Sequence, residues 1–187
     1  MAPTQYTYVA LLRAINVGGN AVIKMVDLKK RVESLGLSDV STYIQTGNIL
    51  FTSKESDPFK LEAILEKGIR DKFKYKVKVF VLTPAQLKKA AAKNPFDPTR
   101  LEEKQRCHLM FLSEKPDKDH RKALIDQQGM EYRFKVLDKI FYFGYDRADE
   151  GPKRRNLNFE KLLGRTGTAR SWKVVDKLIE LSSKIHR

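Results

Sequence analysis

The chain has 187 residues, of which 41% are hydrophobic, and this fraction supports a folded core and excludes an intrinsically disordered chain. No stretch approaches the ~20 apolar residues that cross a bilayer, and the first residues lack the basic and then apolar segment of a signal peptide. A single cysteine, Cys107, excludes an internal disulfide and a multi-cysteine metal site. We therefore expect a cytoplasmic protein with no membrane partner.

The positive charge is concentrated at the two ends of the chain, and the formal net charge is +14. Residues 1–94 contain 16 basic and 8 acidic residues, residues 95–150 contain 11 and 12, and residues 151–187 contain 10 and 3. If the two ends meet in the fold, they form one positive surface that attracts phosphates, nucleic acid or another polyanion. The alternative is a lysine-rich, solvated surface that serves solubility.

The first predicted elements are a strand, a helix and a hairpin. Residues 6–15 are apolar on both faces, as in a buried strand. After a turn at Gly18-Gly19, a helix carries one apolar stripe at spacings of three and four, made of Met25, Leu28, Val32 and Leu35. Residues 40–51 predict a hairpin with Gly47 and Asn48 in its turn.

A second helix and a fourth strand complete the first unit. Asp57 and Pro58 are typical of a helix start, and the valines at 77, 79 and 81 alternate with other residues as in a strand. The resulting order, βαββαβ, is that of a ferredoxin-like unit. A further helix leads to the proline-rich connection 94–98, where we place the boundary between two lobes.

The second half repeats this pattern less clearly, in the order βαββα with a further helix. A closing strand is missing or very short, and Thr166 to Arg170 is the one candidate for it. We therefore predict an α+β protein with two ferredoxin-like units, the second incomplete. Residues 1–94 form the first lobe and residues 95–187 the second, either separate or interlocked as one domain.

A set of polar residues lies where the first predicted strand ends and around the hairpin: Arg13, Asn16, Asn20, Lys24, Gln45 and Asn48. In a ferredoxin-like unit the first strand ends and the third begins at one edge of the sheet, so Asn16 and Asn48 are expected there together. Amides at this edge would hold a planar polar ligand, and Arg13 an anion. The alternative is that the amides satisfy turn and loop backbone.

Gly18-Gly19 before a helix suggests a phosphate cradle. The spacing of known phosphate-binding loops is absent, which favours a plain turn.

A basic cluster follows near the end of the chain, and we predict an anion-binding surface at Lys153, Arg154, Arg155, Arg165 and Arg170, with Lys161 and Lys173 nearby. Arginine binds phosphate through two N–H groups, and an exposed Trp172 would stack on a base. The alternatives are a solvated cluster and a tryptophan in the core. The aromatic motif of RNA-recognition modules is absent from residues 47–51, so the nucleic-acid prediction rests on charge and topology.

Signatures of catalysis are weak. Cys107 and His108 are adjacent in a predicted strand, so they point to opposite faces and do not form a nucleophile and base pair. We predict no metal site and no cofactor, and the sequence leaves open whether the chain is an enzyme.

Three functions stay open. The first is binding of an anionic partner through the basic ends. The second is binding or conversion of a small ligand at the polar set around Arg13, Asn16, Gln45 and Asn48. The third is interaction with another chain, including a homodimer formed at the sheet edge left by the incomplete second unit.

Two stretches of the chain have specific motifs, residues 8–20 and residues 43–51. Shorter motifs support them at Lys24-Met25, Leu35-Gly36, Asn94-Pro95-Phe96 and Arg170-Ser171-Trp172. Together they resemble one uncharacterised bacterial family, domain of unknown function 1697, over nearly the whole chain. The resemblance implies two interlocked ferredoxin-like halves, and it implies no reaction, cofactor or substrate.

Three positions depart from the usual pattern of that family. Its Arg-Gly-Ile-Asn corresponds to residues 13–16, where Ala14 replaces the glycine. Its Gln-Ser-Gly-Asn corresponds to residues 45–48, where Thr46 keeps the hydroxyl, and its Asn before Trp is Ser171 here. These changes are mild for the fold.

Overall fold

The structure is a computed structural model that describes residues 4–19, 21–96, 105–127, 132–146 and 157–185. Within these ranges the chain forms two four-stranded antiparallel sheets and six helices, so the predicted α+β class is confirmed. The chain divides into two compact units. The first is Met1–Lys89 with Asp176–Arg187, and the second is Ala90–Val175. No helix in the described ranges is long and apolar enough to cross a membrane.

The first unit has the element order βαββαβ. Its elements are β1 (Tyr6–Leu12), α1 (Met25–Glu33), β2 (Ser38–Tyr43), β3 (Asn48–Ser53), α2 (Pro58–Phe73) and β4 (Val79–Leu82). The strand order in the sheet is β2-β3-β1-β4. Leu11 near the end of β1 lies opposite Asn48 at the start of β3, so the end of β1 and the hairpin turn lie at the same end of the sheet.

Alternating residues of the first sheet build its core. Tyr8, Ala10 and Leu12 of β1 are buried with Ile49 and Phe51 of β3, and α1 and α2 contribute Leu28, Val32, Leu61 and Leu65.

The start of α2 is as expected from its sequence. The carboxylate of Asp57 accepts a hydrogen bond from the Phe59 N–H at 2.9 Å, and Pro58 occupies the first turn.

The second unit repeats this order. Its elements are β5 (Gln105–Leu112), α4 (Lys118–Ile125), β6 (Tyr132–Leu137), β7 (Ile140–Asp146), α5 (Phe159–Leu163) and β8 (Gly167–Ser171). The strand order is β6-β7-β5-β8, and one face of this sheet carries an aromatic core that includes Tyr132, Phe134, Phe141, Phe143 and Phe159. Two helices, α3 (Pro84–Ala92) and α6 (Trp172–Ser182), each contain a boundary between the units.

The prediction that the second unit is incomplete is wrong. β8 pairs with β5 from His108–Ser171 to Leu112–Gly167. The segment lacks the alternating large apolar residues that mark a strand in sequence. The strand packs closely against β5. A Cβ on Gly167 would lie 2.9 Å from the Phe111 carbonyl oxygen, so only glycine fits at this position. The homodimer prediction was based on an unpaired edge of β5, and in the structure β8 occupies that edge.

The turn of the first hairpin lies at residues 44–47, whereas the sequence places it at Gly47-Asn48. Asn48 is already the first residue of β3 and lies opposite Tyr43. Gly47 has φ +78°, and a Cβ on it would lie 2.8 Å from side-chain atoms of Leu12 and Ile15. The turn therefore requires glycine for both its backbone conformation and its contact with the end of β1.

Candidate functional site

A cavity of about 490 Å³ lies beside the end of β1 in the first unit. It is lined by Asn16 and Gly19 of the loop after β1, by residues 22–26 at the start of α1, and by Gln45 of the hairpin turn. Three of the six predicted polar residues, Asn16, Lys24 and Gln45, therefore line one cavity.

Asn16 joins three segments of the cavity wall. Its side-chain nitrogen donates to the carbonyl oxygens of Ile23 at 2.9 Å and Gln45 at 2.8 Å. Its side-chain oxygen accepts from the Ile23 N–H at 2.8 Å. The loop after β1, the start of α1 and the hairpin turn are thus tied to one amide, which satisfies backbone as the alternative interpretation expected.

The backbone around the cavity is left-handed at several residues other than glycine. The φ angles are +53° at Ala14, +54° at Asn16, +44° at Ala21 and +49° at Ile44. Each such conformation costs on the order of 1–3 kcal/mol and is least favourable for a β-branched residue such as Ile44. Strained residues of this kind cluster at binding sites, where surrounding contacts hold them.

The described lining of the cavity carries one positive charge. Lys24 is the one charged side chain among its lining residues, is exposed, and forms no ion pair with a described residue. Lys24 is also the N-cap residue of α1, and its side chain does not cap the helix. The ammonium group and the N–H groups of the first helical turn both favour a negative charge there, and Asp27 already places one carboxylate in that turn.

Exposed aliphatic side chains surround the same cavity. Val22 and Val26 line it and are 63% and 65% exposed. Val17 and Ile44, which adjoin the lining residues Asn16 and Gln45 in sequence, are also exposed. Clustered exposed apolar residues indicate a binding surface. The arrangement thus combines one cation, one exposed amide and an apolar rim.

Two of the other predicted polar residues, Arg13 and Asn48, lie outside the cavity lining. Arg13 is half-buried just after β1, its backbone N–H donates to the Lys78 carbonyl at 2.9 Å, and it does not line the cavity. Asn48 is fully buried, and its amide donates to the Tyr43 carbonyl at 2.9 Å and to the Thr46 hydroxyl at 3.2 Å. Asn48 therefore closes the hairpin. Asn20 lies outside the described residues.

One described member of the basic cluster, Arg170, is buried, whereas Lys161 and Lys173 are exposed. Arg170 is 6% exposed, and its guanidinium donates to the Thr168 hydroxyl and the Ala169 carbonyl, both at 2.8 Å. Burial lowers the pKa of Arg170 to about 10 and removes it from any exposed anion-binding surface, which corrects the prediction. Arg165 is half-buried and lies 3.6 Å from the Glu114 carboxylate. Lys153, Arg154 and Arg155 lie outside the described residues, and Trp172 at the start of α6 is partly exposed.

Comparison with known proteins identifies the family. A family model described as "Protein of unknown function (DUF1697)" matches residues 6–142. The chain belongs to the DUF1697 family. This DUF1697 protein is similar to the conserved bacterial protein SP0830 from Streptococcus pneumoniae, with 24% sequence identity, a TM-score of 0.74, and coverage of 96% of this chain and 99% of that chain. That likeness shows a shared fold, and no curated protein matches the chain.

Cys107 and His108 of this DUF1697 protein, whose residue types resemble catalytic groups, are not among the residues that line the cavity. Cys107 is buried, and its thiol contacts the Asn94 side-chain nitrogen at 3.4 Å. Burial raises the pKa of this thiol above its ordinary value. His108 stacks on Phe143 and Tyr145, with ring centroids 5.0 and 5.5 Å away. Among the described residues, no group of three metal-ligating side chains comes together.

The apolar part of the cavity in this DUF1697 protein was not predicted from its sequence. Val22 precedes α1, and Val26 lies outside the helix stripe of Met25, Leu28, Val32 and Leu35. A valine outside the stripe of an amphipathic helix is the signal that would have indicated an exposed apolar contact.

Proposed function

We propose that this DUF1697 protein binds a small ligand that combines an anionic group with an apolar body, and that the ligand occupies the cavity lined by Asn16, Lys24 and Gln45. The observation that carries the proposal is the composition of the lining. Four apolar residues, at positions 22, 23, 25 and 26, line the cavity together with a single cation. A cavity of this size accommodates a drug-sized molecule.

Each part of the lining suits one part of such a ligand. The anionic group lies against the Lys24 ammonium and the first turn of α1, where both attract negative charge. The Gln45 amide offers a donor and an acceptor to a polar edge. The apolar body packs on Val22 and Val26 and removes them from water.

Binding is supported better than catalysis. Among the described residues, the lining contains no carboxylate, histidine, thiol or hydroxyl side chain. Lys24 is the one group there of a type that acts as a general base or a nucleophile, and no second titratable group of the lining accompanies it. Asn16 positions the wall of the cavity, since its amide is committed to the Ile23 and Gln45 backbone.

A fluorescence titration with 8-anilinonaphthalene-1-sulfonate, which has an anionic sulfonate and apolar rings, tests the proposal. We expect saturable binding that weakens by about 10-fold in K24A, because a hydrogen bond to a charged group is lost. The matched control is K54A, since Lys54 follows β3 at the far end of the sheet, where Ser53 lies opposite Tyr6. Equal affinity of K24A and K54A, at unchanged thermal stability, would refute the proposal.

A second candidate partner is a polyanion such as nucleic acid, and the net charge of +14 is the observation that favours it. Such binding weakens steeply with salt concentration because counterions are released. The variant R154E/R155E should then bind single-stranded RNA less tightly, with a smaller salt slope. An RNA affinity that is independent of salt would contradict this second candidate.

We also infer that both units follow the ferredoxin-like plan. The inference is supported by the order βαββαβ in each unit and by the equivalent strand orders β2-β3-β1-β4 and β6-β7-β5-β8.

A further inference from the structure

β4 is an edge strand of the first sheet, since its one neighbour in the strand order is β1. In an antiparallel edge strand, alternate residues direct their N–H groups away from the neighbour, and these groups are a template for another strand. In β4 the N–H groups of Val79 and Val81 do not donate to a strand. They donate to carboxylates of α2, Val79 to Glu66 at 3.0 Å and Val81 to Glu62 at 3.0 Å.

The spacing of the two carboxylates matches the spacing of the two N–H groups. Glu62 and Glu66 are four residues apart on α2, which is about 6 Å along a helix. Val79 and Val81 are two residues apart on β4, which is about 7 Å along a strand. One turn of α2 therefore reaches two successive outward N–H groups without distortion of either element.

Lys78 links the two carboxylates. Its ammonium nitrogen lies 2.9 Å from Glu66 Oε1 and 3.7 Å from Glu62 Oε2. Burial raises the pKa of Glu62 above its ordinary value, although the Val81 N–H and Lys78 both favour its ionised form. The Lys78 contact thus reduces the cost of holding two acidic groups together against the sheet edge.

We propose that Glu62, Glu66 and Lys78 close the β4 edge and prevent it from pairing with β4 of a second copy of this chain. The second copy is the relevant partner because Val79–Leu82 is uncharged and rich in β-branched and aromatic residues. Two such strands pair antiparallel about a two-fold axis, which gives a closed dimer. The carboxylates occupy the N–H groups that this pairing requires.

The test compares the full-length E62A/E66A variant with E62Q/E66Q, whose side-chain oxygens can still accept from Val79 and Val81. In E62A/E66A we expect amide hydrogen exchange at Val79 and Val81 to accelerate by about 10-fold in dilute solution, as one hydrogen bond is lost at each. At high concentration, sedimentation should show the average mass rising toward twice the wild-type value. E62Q/E66Q should retain wild-type exchange and mass.

The single variant E66A keeps the test valid if the double variant does not fold. In E66A, exchange should accelerate at Val79 and stay slow at Val81, which Glu62 still binds. The proposal is overturned if E62A/E66A folds and sediments as the wild type does at every concentration. It is also overturned if exchange at Val79 in E66A is unchanged.

Discussion

Asn16 is the residue on which the shape of the cavity depends most directly. Its amide makes three hydrogen bonds to the backbone of Ile23 and Gln45, and its φ of +54° lies in a region that asparagine tolerates better than most residues. Ala14 and Ala21 in the same loop also adopt left-handed conformations, and alanine has no side-chain polar group that could hold them. The Asn16 side chain thus supplies three of the hydrogen bonds that hold the loop, and its loss should loosen the wall.

The variant N16A should lower the free energy of unfolding by about 2 kcal/mol, because two carbonyl groups and one N–H lose their partner. N16G loses the same bonds but adopts a positive φ without strain, so it should be about 1 kcal/mol more stable than N16A. Urea unfolding of both variants measures the difference. Wild-type stability in N16A would show that these hydrogen bonds do not hold the loop.

Tyr142 gives the second unit a dependence on alkaline pH. The residue is fully buried, its hydroxyl donates to the Ala90 carbonyl at 2.8 Å, and burial raises its pKa from 10.0 to about 12. The folded protein holds the phenol proton more tightly than the unfolded chain does. The stabilisation is therefore complete below pH 10 and is lost as the pH rises through about 12.

In Y142F this alkaline dependence should be absent. Two pH units correspond to about 3 kcal/mol, so the wild type should lose up to that amount between pH 10 and about pH 12 relative to the variant. At neutral pH, Y142F should be about 1 kcal/mol less stable, because the Ala90 carbonyl loses its donor. Urea unfolding at several pH values provides the comparison, and parallel pH profiles for the two proteins would contradict the assignment.

The positions of polar residues were easier to predict than their partners. The βαββαβ order was enough to expect Asn16 and Asn48 at the same end of the sheet, and Leu11 does lie opposite Asn48. The side-chain partners depend on the path of the loop after β1 and on a turn that begins at Ile44. No periodic pattern encodes either, so the sequence left open whether the amides bind a ligand or backbone.

Among the elements, the first hairpin depends on one glycine. Gly47 and Gly36 both have positive φ angles, of +78° and +84°. A Cβ on Gly36 meets nothing within 4 Å, whereas a Cβ on Gly47 would lie 2.8 Å from Leu12 and Ile15. A substitution at Gly36 therefore reports backbone strain alone, whereas one at Gly47 reports backbone strain together with steric contact.

G36A should cost about 1 kcal/mol of unfolding free energy through backbone strain alone. G47A should cost about 3 kcal/mol, since the methyl group also displaces the side chains at the end of β1. Chemical denaturation of the two variants gives both values. Equal losses would mean that the end of β1 yields to the added methyl group without cost.

Elements with a strong period or cap were predictable, and one without either was not. The start of α2 follows from Asp57 and Pro58, whose cap hydrogen bond the structure contains. β8 was predicted as missing or very short, with Thr166 to Arg170 as its one candidate, and the strand lies at Gly167–Ser171, where it pairs with β5. Pairing with a neighbouring strand can outweigh the intrinsic strand propensity of a short segment, and the residues of that segment alone do not show it.

At the scale of the whole molecule, two units share one element order, and the second half of α6 groups with the first unit. The α+β class could be predicted from periodicity, whereas the return of residues 176–187 to the first unit involves contacts distant in sequence. The net charge of the chain did not indicate which basic residues are exposed to a partner. Arg170 is buried and Arg165 is paired, so a count of basic residues overstates the charge that is available to a partner.

The central claim is that the cavity at the end of β1 binds an anionic ligand with an apolar body. Its most direct test is an amide ¹H–¹⁵N spectrum of the full-length protein, titrated with 8-anilinonaphthalene-1-sulfonate. We predict that the largest shifts fall on Asn16, Ile23, Lys24 and Gln45, and that K24A needs about 10-fold more probe to reach the same shifts while K54A does not. Shifts confined to residues outside the cavity lining, or a titration of K24A that superimposes on that of K54A, would contradict binding at this cavity.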